Sequence, residues 1–198
     1  MRGVPRVPPF DRPARYEDLI ALPDNVVGEI VDGELHAWPR PAPSHAIAGS
    51  ALGGHLVPPF HAGRGGPGGW WILYEPELHL GADVLVPDWA GWRRQRMPSP
   101  PSTPYFAVAP DWICEILSSS TAAFDRSSKL PVYAREGVGH AWLIDPALRT
   151  LEVLRHEAGR WAVVATYADG DVVRAEPFAE VEIALDSLWA QPTGTEAP

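Results

Sequence analysis

The spacing of apolar and polar residues along this chain predicts many short strands and few helices. Residues 26–38 alternate in the manner of a hairpin, and Asp32-Gly33 at their middle is typical of a tight two-residue turn. Further apolar runs predict six strands, at residues 70–80, 83–92, 111–117, 140–144, 150–155 and 161–167. The segments 70–80 and 83–92 are predicted to pair with each other around Gly81-Ala82.

Helices are predicted at residues 15–22, 44–60, 122–136 and 186–190, with Ser44 as the N-cap of the second. Pro131 is tolerated only in the first turn of a helix, so regular helix is expected to begin near Lys129 or Leu130. The order helix, hairpin, helix, strands, helix, strands predicts an α+β (α/β-like) fold with a mixed central sheet.

Length and composition predict one domain over residues 15–190. With 45% hydrophobic residues and nine Trp, the 198-residue chain has enough apolar surface for a core. The ends, residues 1–14 and 191–198, are rich in Pro, Gly, Thr and Ala and are predicted to be disordered. The sequence has no run of about 18 apolar residues, so no membrane span is expected. The N-terminus lacks the apolar segment of a signal peptide and Cys114 is the one cysteine, so a cytoplasmic protein is expected.

The balance of charged residues narrows the possible functions. The formal net charge of −9 argues against a general binder of polyanions, although an acidic metal site would itself add negative charge. Of sixteen cationic residues, fifteen are arginine and one, Lys129, is lysine. Lysine is a compact point charge, and its retention in an arginine-rich chain marks a position where arginine would not serve. The alternative is chance survival on a solvated helix.

Asp88, Glu115 and Lys129 together suggest a metal-dependent nuclease. Asp88 and Glu115 follow or interrupt apolar runs, and Mg²⁺ is commonly held by one or two carboxylates with water and substrate phosphate. A nearby ammonium would stabilise negative charge that develops during phosphodiester hydrolysis. The alternative for Asp88 is a turn residue that ends a strand. Glu115 is harder to explain structurally, because an ionised carboxylate on a buried strand is costly unless paired or metal-bound.

Several motifs occur in a fixed order along the chain. They are GEIVDGEL (28–35), PAPSH (41–45), VPD (86–88), CEILSSST (114–121), Asp125, Lys129, YAREGV (133–138) and AWLIDP (141–146). In this order and spacing the chain resembles the Uma-two family of bacterial restriction-endonuclease-like proteins. The resemblance extends from Tyr16 to Trp189.

The resemblance implies a PD-(D/E)XK nuclease-like core with a mixed central sheet flanked by helices. It implies Asp88 and Glu115 as ligands of Mg²⁺ or Mn²⁺ and Lys129 as the catalytic cation, supplied from the next helix because Leu117 stands where the simple motif has lysine. Glu29 would be a further acidic residue near the metal; the alternative is an exposed carboxylate on the hairpin.

Other residues have less certain roles in the predicted site. His45 matches a histidine of the family and would contact the phosphate or a metal-bound water, or make a local hydrogen bond at the helix start. Asp125 is expected to cap or orient the helix that carries Lys129. Glu75 and Glu77 are expected on one solvated face of a strand. Pro131 departs from the family pattern and puts the direction of Lys129 in doubt.

A basic segment follows Asp88 and offers a second way to contact nucleic acid. Arg93, Arg94 and Arg96 would grip a phosphate backbone, with Trp89 and Trp92 stacking on bases; the alternative, which we favour, is core tryptophans and solvated arginines. The resulting hypothesis is an endonuclease that cleaves DNA with metal-activated water and acts alone or as a homodimer. The alternatives are a catalytically inactive nuclease-fold binding or interaction module, or an enzyme active only with a partner.

Overall fold

The computed structural model describes residues 11–39 and 42–190 of the chain. Four α-helices are present in these residues: Tyr16–Ile20 (α1), Pro43–Leu56 (α2), Ala122–Phe124 (α3) and Leu130–Arg135 (α4). The strands are Val26–Val31 (β1), Glu34–Pro39 (β2), Trp70–Tyr74 (β3), Leu78–Leu80 (β4), Asp83–Leu85 (β5), Trp89–Arg93 (β6), Trp112–Ile116 (β7), His140–Asp145 (β8), Thr150–Glu157 (β9), Arg160–Ala168 (β10), Val172–Val173 (β11) and Ile183–Ala184 (β12). The predicted disordered ends fall mainly on residues 1–10 and 191–198, outside the described residues.

The strands form a mixed central sheet, as predicted. Its order is β10-β9-β8-β7-β6-β3, in which β7 and β8 are parallel and all other neighbours are antiparallel. A second sheet has the order β2-β1-β5-β4, and the predicted hairpin forms its edge. Asp32 and Gly33 both have positive φ, the conformation that a two-residue hairpin turn of this type requires. The short β11–β12 pair was not predicted.

The prediction of two long paired strands over residues 70–92 was wrong in one respect. Each strand is broken, so that β3 pairs with β6 in the central sheet while β4 pairs with β5 in the second sheet. The breaks coincide with Pro76 and Pro87, which have no N–H to donate to a sheet. Glu75 and Glu77 therefore lie in a bend and not on one strand face, and Asp88 lies at the other break.

Strand β7 is buried on both faces of the central sheet, and the alternation of its side chains determines the direction in which Glu115 points. Cys114 and Ile116 pack on one side with α2, whereas Ile113 and Leu117 pack on the other side with α4. Side chains alternate along a strand, so Glu115 points toward α4. Cys114 is fully buried and burial raises the pKa of its thiol well above the usual range, as expected for an inert core thiol.

Helix α2 approaches the central sheet closely. It begins at Pro43 after Ala42, without a side-chain cap, so the predicted N-cap at Ser44 was wrong; proline suits the first helical position because its missing N–H would have no partner there. A Cβ at Gly53 would lie 2.7 Å from the Trp89 ring, so glycine permits this approach. This close approach places His45, which lies two turns before Gly53 on α2, next to Asp88.

The helical segment that carries Lys129 contains a π-helical turn. Asp125–Lys129 forms this turn between α3 and α4, and the Leu130 N–H donates to the Asp125 carbonyl, five residues earlier. Regular helix resumes at Leu130 with Pro131 in its first turn, as predicted. Such turns occur frequently at functional sites. The last predicted helix is a 3₁₀-helix, Leu185–Leu188. No helix within the described ranges is long and apolar enough to span a membrane.

Candidate active site

Strands β6 and β7 place Asp88 and Glu115 side by side. Trp89 pairs with Cys114, and continuing this antiparallel register by one residue sets Asp88 opposite Glu115. The Ile116 N–H donates to Asp88 Oδ2 at 2.6 Å and fixes the Asp88 carboxylate at the end of β7. The two carboxylates that the sequence singled out are therefore neighbours at the same end of two adjacent inner strands of the central sheet.

Lys129 extends from the π-helical turn toward this end of the two strands. Its Nζ lies 2.8 Å from Glu29 Oε1 and 2.9 Å from Glu115 Oε1, and it donates to the Val86 carbonyl at 3.3 Å. Only 3% of Lys129 is exposed, so chance survival on a solvated helix does not explain it. Pro131 does not divert the side chain from the carboxylates.

Glu29 joins the site from the second sheet. It lies on β1, is buried, and its Oε1 accepts a hydrogen bond from the Val86 N–H at 2.8 Å as well as the contact with Lys129. An exposed hairpin carboxylate, the alternative for this residue, is therefore excluded. Glu29 links the hairpin, the bend before Asp88 and the lysine.

His45 contacts Asp88 from the first turn of α2. Its Nε2 lies 3.0 Å from Asp88 Oδ1, and its buried Nδ1 has no hydrogen-bond partner among the described residues. Burial lowers the pKa of His45, but the Asp88 carboxylate, with smaller effects from Glu75 and Asp125, outweighs burial and raises it. A cationic imidazole beside Asp88 is thus favoured.

Two further residues complete the site. Tyr133, which the sequence analysis missed as a site residue, donates its hydroxyl to Glu115 Oε1 at 2.8 Å. It lies one helical turn after Lys129, and that spacing of four residues is the signal that predicts a shared helix face. Asp125 is buried, with Oδ1 3.9 Å from Lys129 Nζ and a side-chain hydrogen bond to Thr121, and its orienting role stays a prediction.

Burial dominates the electrostatics of the site. It raises the pKa of Glu115 well above the usual range and that of Asp125 to about 6, with Lys129 opposing both shifts only in part. Burial would lower the pKa of Lys129, but the carboxylates of Glu115 and Glu29 outweigh it and raise that pKa well above the usual range. The lysine stays charged, and the carboxylates outnumber the cations available to neutralise them.

These side chains line one cavity of about 330 Å³. Its charged lining comprises Glu29, Glu75, Asp88, Glu115, Asp125, Lys129 and His45. Among residues 11–39 and 42–190, no three His, Cys, Asp or Glu side chains are grouped so that all of them would ligate one metal ion. A pair of neighbouring carboxylates nevertheless fits Mg²⁺, which commonly takes its remaining ligands from water and phosphate.

The basic segment after β6 lies away from the cavity. Arg93 is five residues beyond Asp88, about 16 Å along an extended strand. Its guanidinium lies over the Trp70 ring, Arg94 lies over the Trp71 ring, and Arg96 forms an ion pair with Asp111. Trp89 and Trp92 are buried in the core, so their rings are not available to stack on bases.

A mixed sheet with two carboxylates at adjacent strand ends and a lysine on the following helix defines a restriction-endonuclease-like fold. The same fold is found in the crystal structure of a putative nuclease belonging to DUF820 from Anabaena variabilis ATCC 29413 (TM-score 0.68, 22% identity), with 89% of this chain and 97% of that chain covered. The chain belongs to the family Uma2, described as "Putative restriction endonuclease", whose model matches residues 13–186. No curated protein matches the sequence.

Proposed function

We propose that this protein is a metal-dependent nuclease that hydrolyses phosphodiester bonds in DNA. The observation that carries the proposal is the convergence of Asp88, Glu115 and the buried Lys129 on one cavity of a restriction-endonuclease-like fold. Membership of a family described as "Putative restriction endonuclease" supports nucleic acid as the substrate and DNA as its type.

Asp88 and Glu115 are the residues that would hold Mg²⁺ or Mn²⁺. Their carboxylates are hard oxygen ligands, and the excess of buried carboxylate over cation in the cavity favours a further positive charge. A bound divalent ion would polarise the scissile phosphate and lower the pKa of the attacking water. Glu29 adds negative charge next to this pair and was predicted to lie near the metal.

Lys129 is the group that we propose to stabilise the developing negative charge. Its ammonium is held by Glu29, Glu115 and the Val86 carbonyl, so its position is fixed before substrate enters. Glu29 keeps the ammonium in place, and Tyr133 does the same for the Glu115 carboxylate. His45, held by Asp88, is placed to carry a proton or to contact a phosphate oxygen.

The first test is cleavage of single- and double-stranded DNA and RNA with Mg²⁺ or Mn²⁺. Wild-type protein is compared with Asp88→Ala and Lys129→Ala, and with Asp111→Ala, which lies outside the cavity, as the matched control. We expect the wild type and the control to cut DNA and the two site variants to be inactive but folded by circular dichroism. Cleavage that persists in both site variants would contradict the proposal.

A second function, a catalytically inactive binding module of the same fold, is favoured by two observations. Within the described ranges no three His, Cys, Asp or Glu side chains are grouped around one ion position, and Lys129 already neutralises part of the carboxylate charge. Titration calorimetry separates the two functions. Submillimolar binding of Mn²⁺ that is lost in Glu115→Ala supports the nuclease, whereas a folded protein that binds no divalent ion supports the binding module.

A further inference from the structure

Trp38 differs from the other partly exposed tryptophans of this protein. The indole N–H groups of Trp71 and Trp161 donate to the carbonyls of Met97 and Leu130, at 2.9 and 2.8 Å. The Trp38 N–H is buried and has no acceptor among the described residues, a property that it shares with Trp89 and Trp112 in the core. Buried donors normally have a hydrogen-bond partner. An internal hydrogen bond of the indole therefore does not explain why tryptophan occupies position 38.

The hairpin places Trp38 in the wall of the active-site cavity. Trp38 pairs with Val27 across β1 and β2, and Glu29 lies two residues after Val27, so all three side chains share one face of the hairpin. All three line the cavity. The Phe124 ring lies 5.3 Å from the Trp38 ring, centroid to centroid, and braces it. An aromatic surface therefore stands beside the carboxylates.

The depth of the cavity restricts what can reach its charged groups. Glu29, Glu115 and Lys129 are each only 3% exposed, and the cavity volume of about 330 Å³ is at the lower end for pockets that bind small ligands. A pocket of that size takes about one nucleotide. A duplex is a rigid rod whose stacked base pairs hold both strands in place, whereas an unpaired strand can bend and insert a single nucleotide.

We propose that the cavity accepts single-stranded nucleic acid and that a base next to the scissile phosphate stacks on Trp38. This inference rests on the nuclease function proposed above and specifies its substrate. Stacking on an aromatic side chain suits unpaired bases of any sequence, since every base has a π-face. The uncharged indole is also the kind of contact that an acidic cavity can offer to a polyanion without adding repulsion.

The test is binding of a fluorescein-labelled single-stranded oligonucleotide, measured by anisotropy with Ca²⁺, which takes the same oxygen ligands as Mg²⁺. A duplex of the same sequence and a single-stranded RNA are the comparison probes. Trp38→Leu removes the stacking surface but keeps apolar packing against Phe124, and Trp38→Phe restores a ring. Tyr105→Leu, a partly exposed aromatic that stacks on His79 away from the cavity, is the matched control.

We expect the single strand to bind at least tenfold more tightly than the duplex, and Trp38→Leu to lose on the order of tenfold in affinity. Trp38→Phe and Tyr105→Leu are expected to stay within about threefold of wild type. Tight binding of single-stranded RNA as well would leave the inference intact and extend it to both nucleic acids. Equal binding of duplex and single strand, or an unchanged affinity in Trp38→Leu, would overturn it.

Failure of this inference is distinguishable from failure of the nuclease function. A protein that cuts no substrate but binds single strands in a Trp38-dependent manner would refute the nuclease and keep only the stacking of an unpaired base on Trp38. A protein that cuts duplex DNA with Asp88 and Lys129 required, and with Trp38→Leu unaffected, would do the reverse. Thermal unfolding of each Trp38 variant shows whether a loss of binding reflects loss of the hairpin.

Discussion

Two cation clusters on one helical segment differ in their exposure to solvent. Lys129 and Arg135 are six residues apart, and each contacts several acidic side chains. The Lys129 side chain is 4% exposed between Glu29 and Glu115, whereas the Arg135 side chain is 50% exposed and contacts Asp32, Asp83 and Glu136. Both clusters attach the helical segment to the strands.

This difference shows that burial of the cation, more than its number of ion pairs, distinguishes the candidate active site from a surface contact. Charges at the surface are screened by water, and their pairs contribute little to stability. The buried ammonium of Lys129 interacts with its carboxylates in a low-dielectric cavity, where electrostatic effects on bound groups are much larger. A compact ammonium fits between two carboxylates there, and the broad guanidinium of arginine suits the surface cluster.

Exchanging the two cations gives the largest expected effect. Lys129→Arg keeps the charge but replaces the compact ammonium with a broad, planar guanidinium at a buried position. We therefore expect the rate of cleavage to fall by about a hundredfold or more. Arg135→Lys is expected to cut within about twofold of wild type, because the Arg135 side chain is half exposed and does not line the cavity. Initial rates of DNA cleavage with Mg²⁺ measure both. An active Lys129→Arg variant would show that only the charge of Lys129 matters.

The burial of Asp125 in this cluster predicts a dependence of stability on pH. The folded protein raises the pKa of Asp125 from 3.8 to about 6. A raised carboxyl pKa means that this residue favours folding below about pH 3.8 and that the contribution is lost as pH rises through 6. The loss is about 3 kcal/mol, since each pH unit between the two values corresponds to about 1.4 kcal/mol.

Asp125→Asn removes this titration. We therefore expect the difference in unfolding free energy, variant minus wild type, to be about 2 kcal/mol more positive at pH 7 than at pH 4, because part of the loss in the wild type has already occurred at pH 4. Urea unfolding at both pH values in metal-free buffer measures the difference. If the difference in unfolding free energy between variant and wild type does not change with pH, folding does not raise the pKa of Asp125.

A smaller effect is expected from the hydroxyl that holds Glu115. Tyr133→Phe removes the donor to Glu115 Oε1 and leaves the ring in the core. Groups that orient a metal ligand typically change metal affinity or activity by 10–100-fold, and we expect about tenfold in cleavage rate because Lys129 still holds the same oxygen. Tyr105→Phe is the matched control. An unchanged rate in Tyr133→Phe would confine Tyr133 to packing.

The smallest effect is expected at the surface cluster itself. Arg135→Ala leaves Asp83 its hydrogen bond from the Asp32 N–H, at 2.7 Å. We expect a loss of about 1 kcal/mol or less in unfolding free energy and no loss of cleavage. Urea unfolding and the cleavage assay together check this, and inactivity of a folded Arg135→Ala variant would remove the contrast between the two clusters.

Much of this fold follows from local sequence signals. Asp32-Gly33 predicted the hairpin because both residues tolerate positive φ, and Pro131 predicted the start of α4 because proline fits a first turn. Apolar runs predicted the strands of the central sheet, apart from the breaks within residues 70–92. Asp88, Glu115 and Lys129 were singled out by residue type against their surroundings, and the structure brings all three to one cavity.

The remaining features depend on contacts between distant segments. Glu29 and Lys129 are 100 residues apart, and only the packing of the hairpin against the helical segment brings them to 2.8 Å. Residues 70–92 divide between two sheets because of two prolines whose effect depends on which sheet receives each half. The arginines after Asp88 suggested a nucleic-acid contact, but they lie at and beyond the far end of β6, away from the cavity.

The most direct test of the central claim is single-turnover cleavage of labelled DNA by wild type and Glu115→Gln at matched Mg²⁺ concentrations. Glutamine keeps the size of the side chain and an oxygen for Tyr133 and Lys129, but it removes the negative charge that a metal ion requires. Our account predicts that the wild type cuts and that folded Glu115→Gln does not. Cleavage by Glu115→Gln at the wild-type rate would place the active site elsewhere.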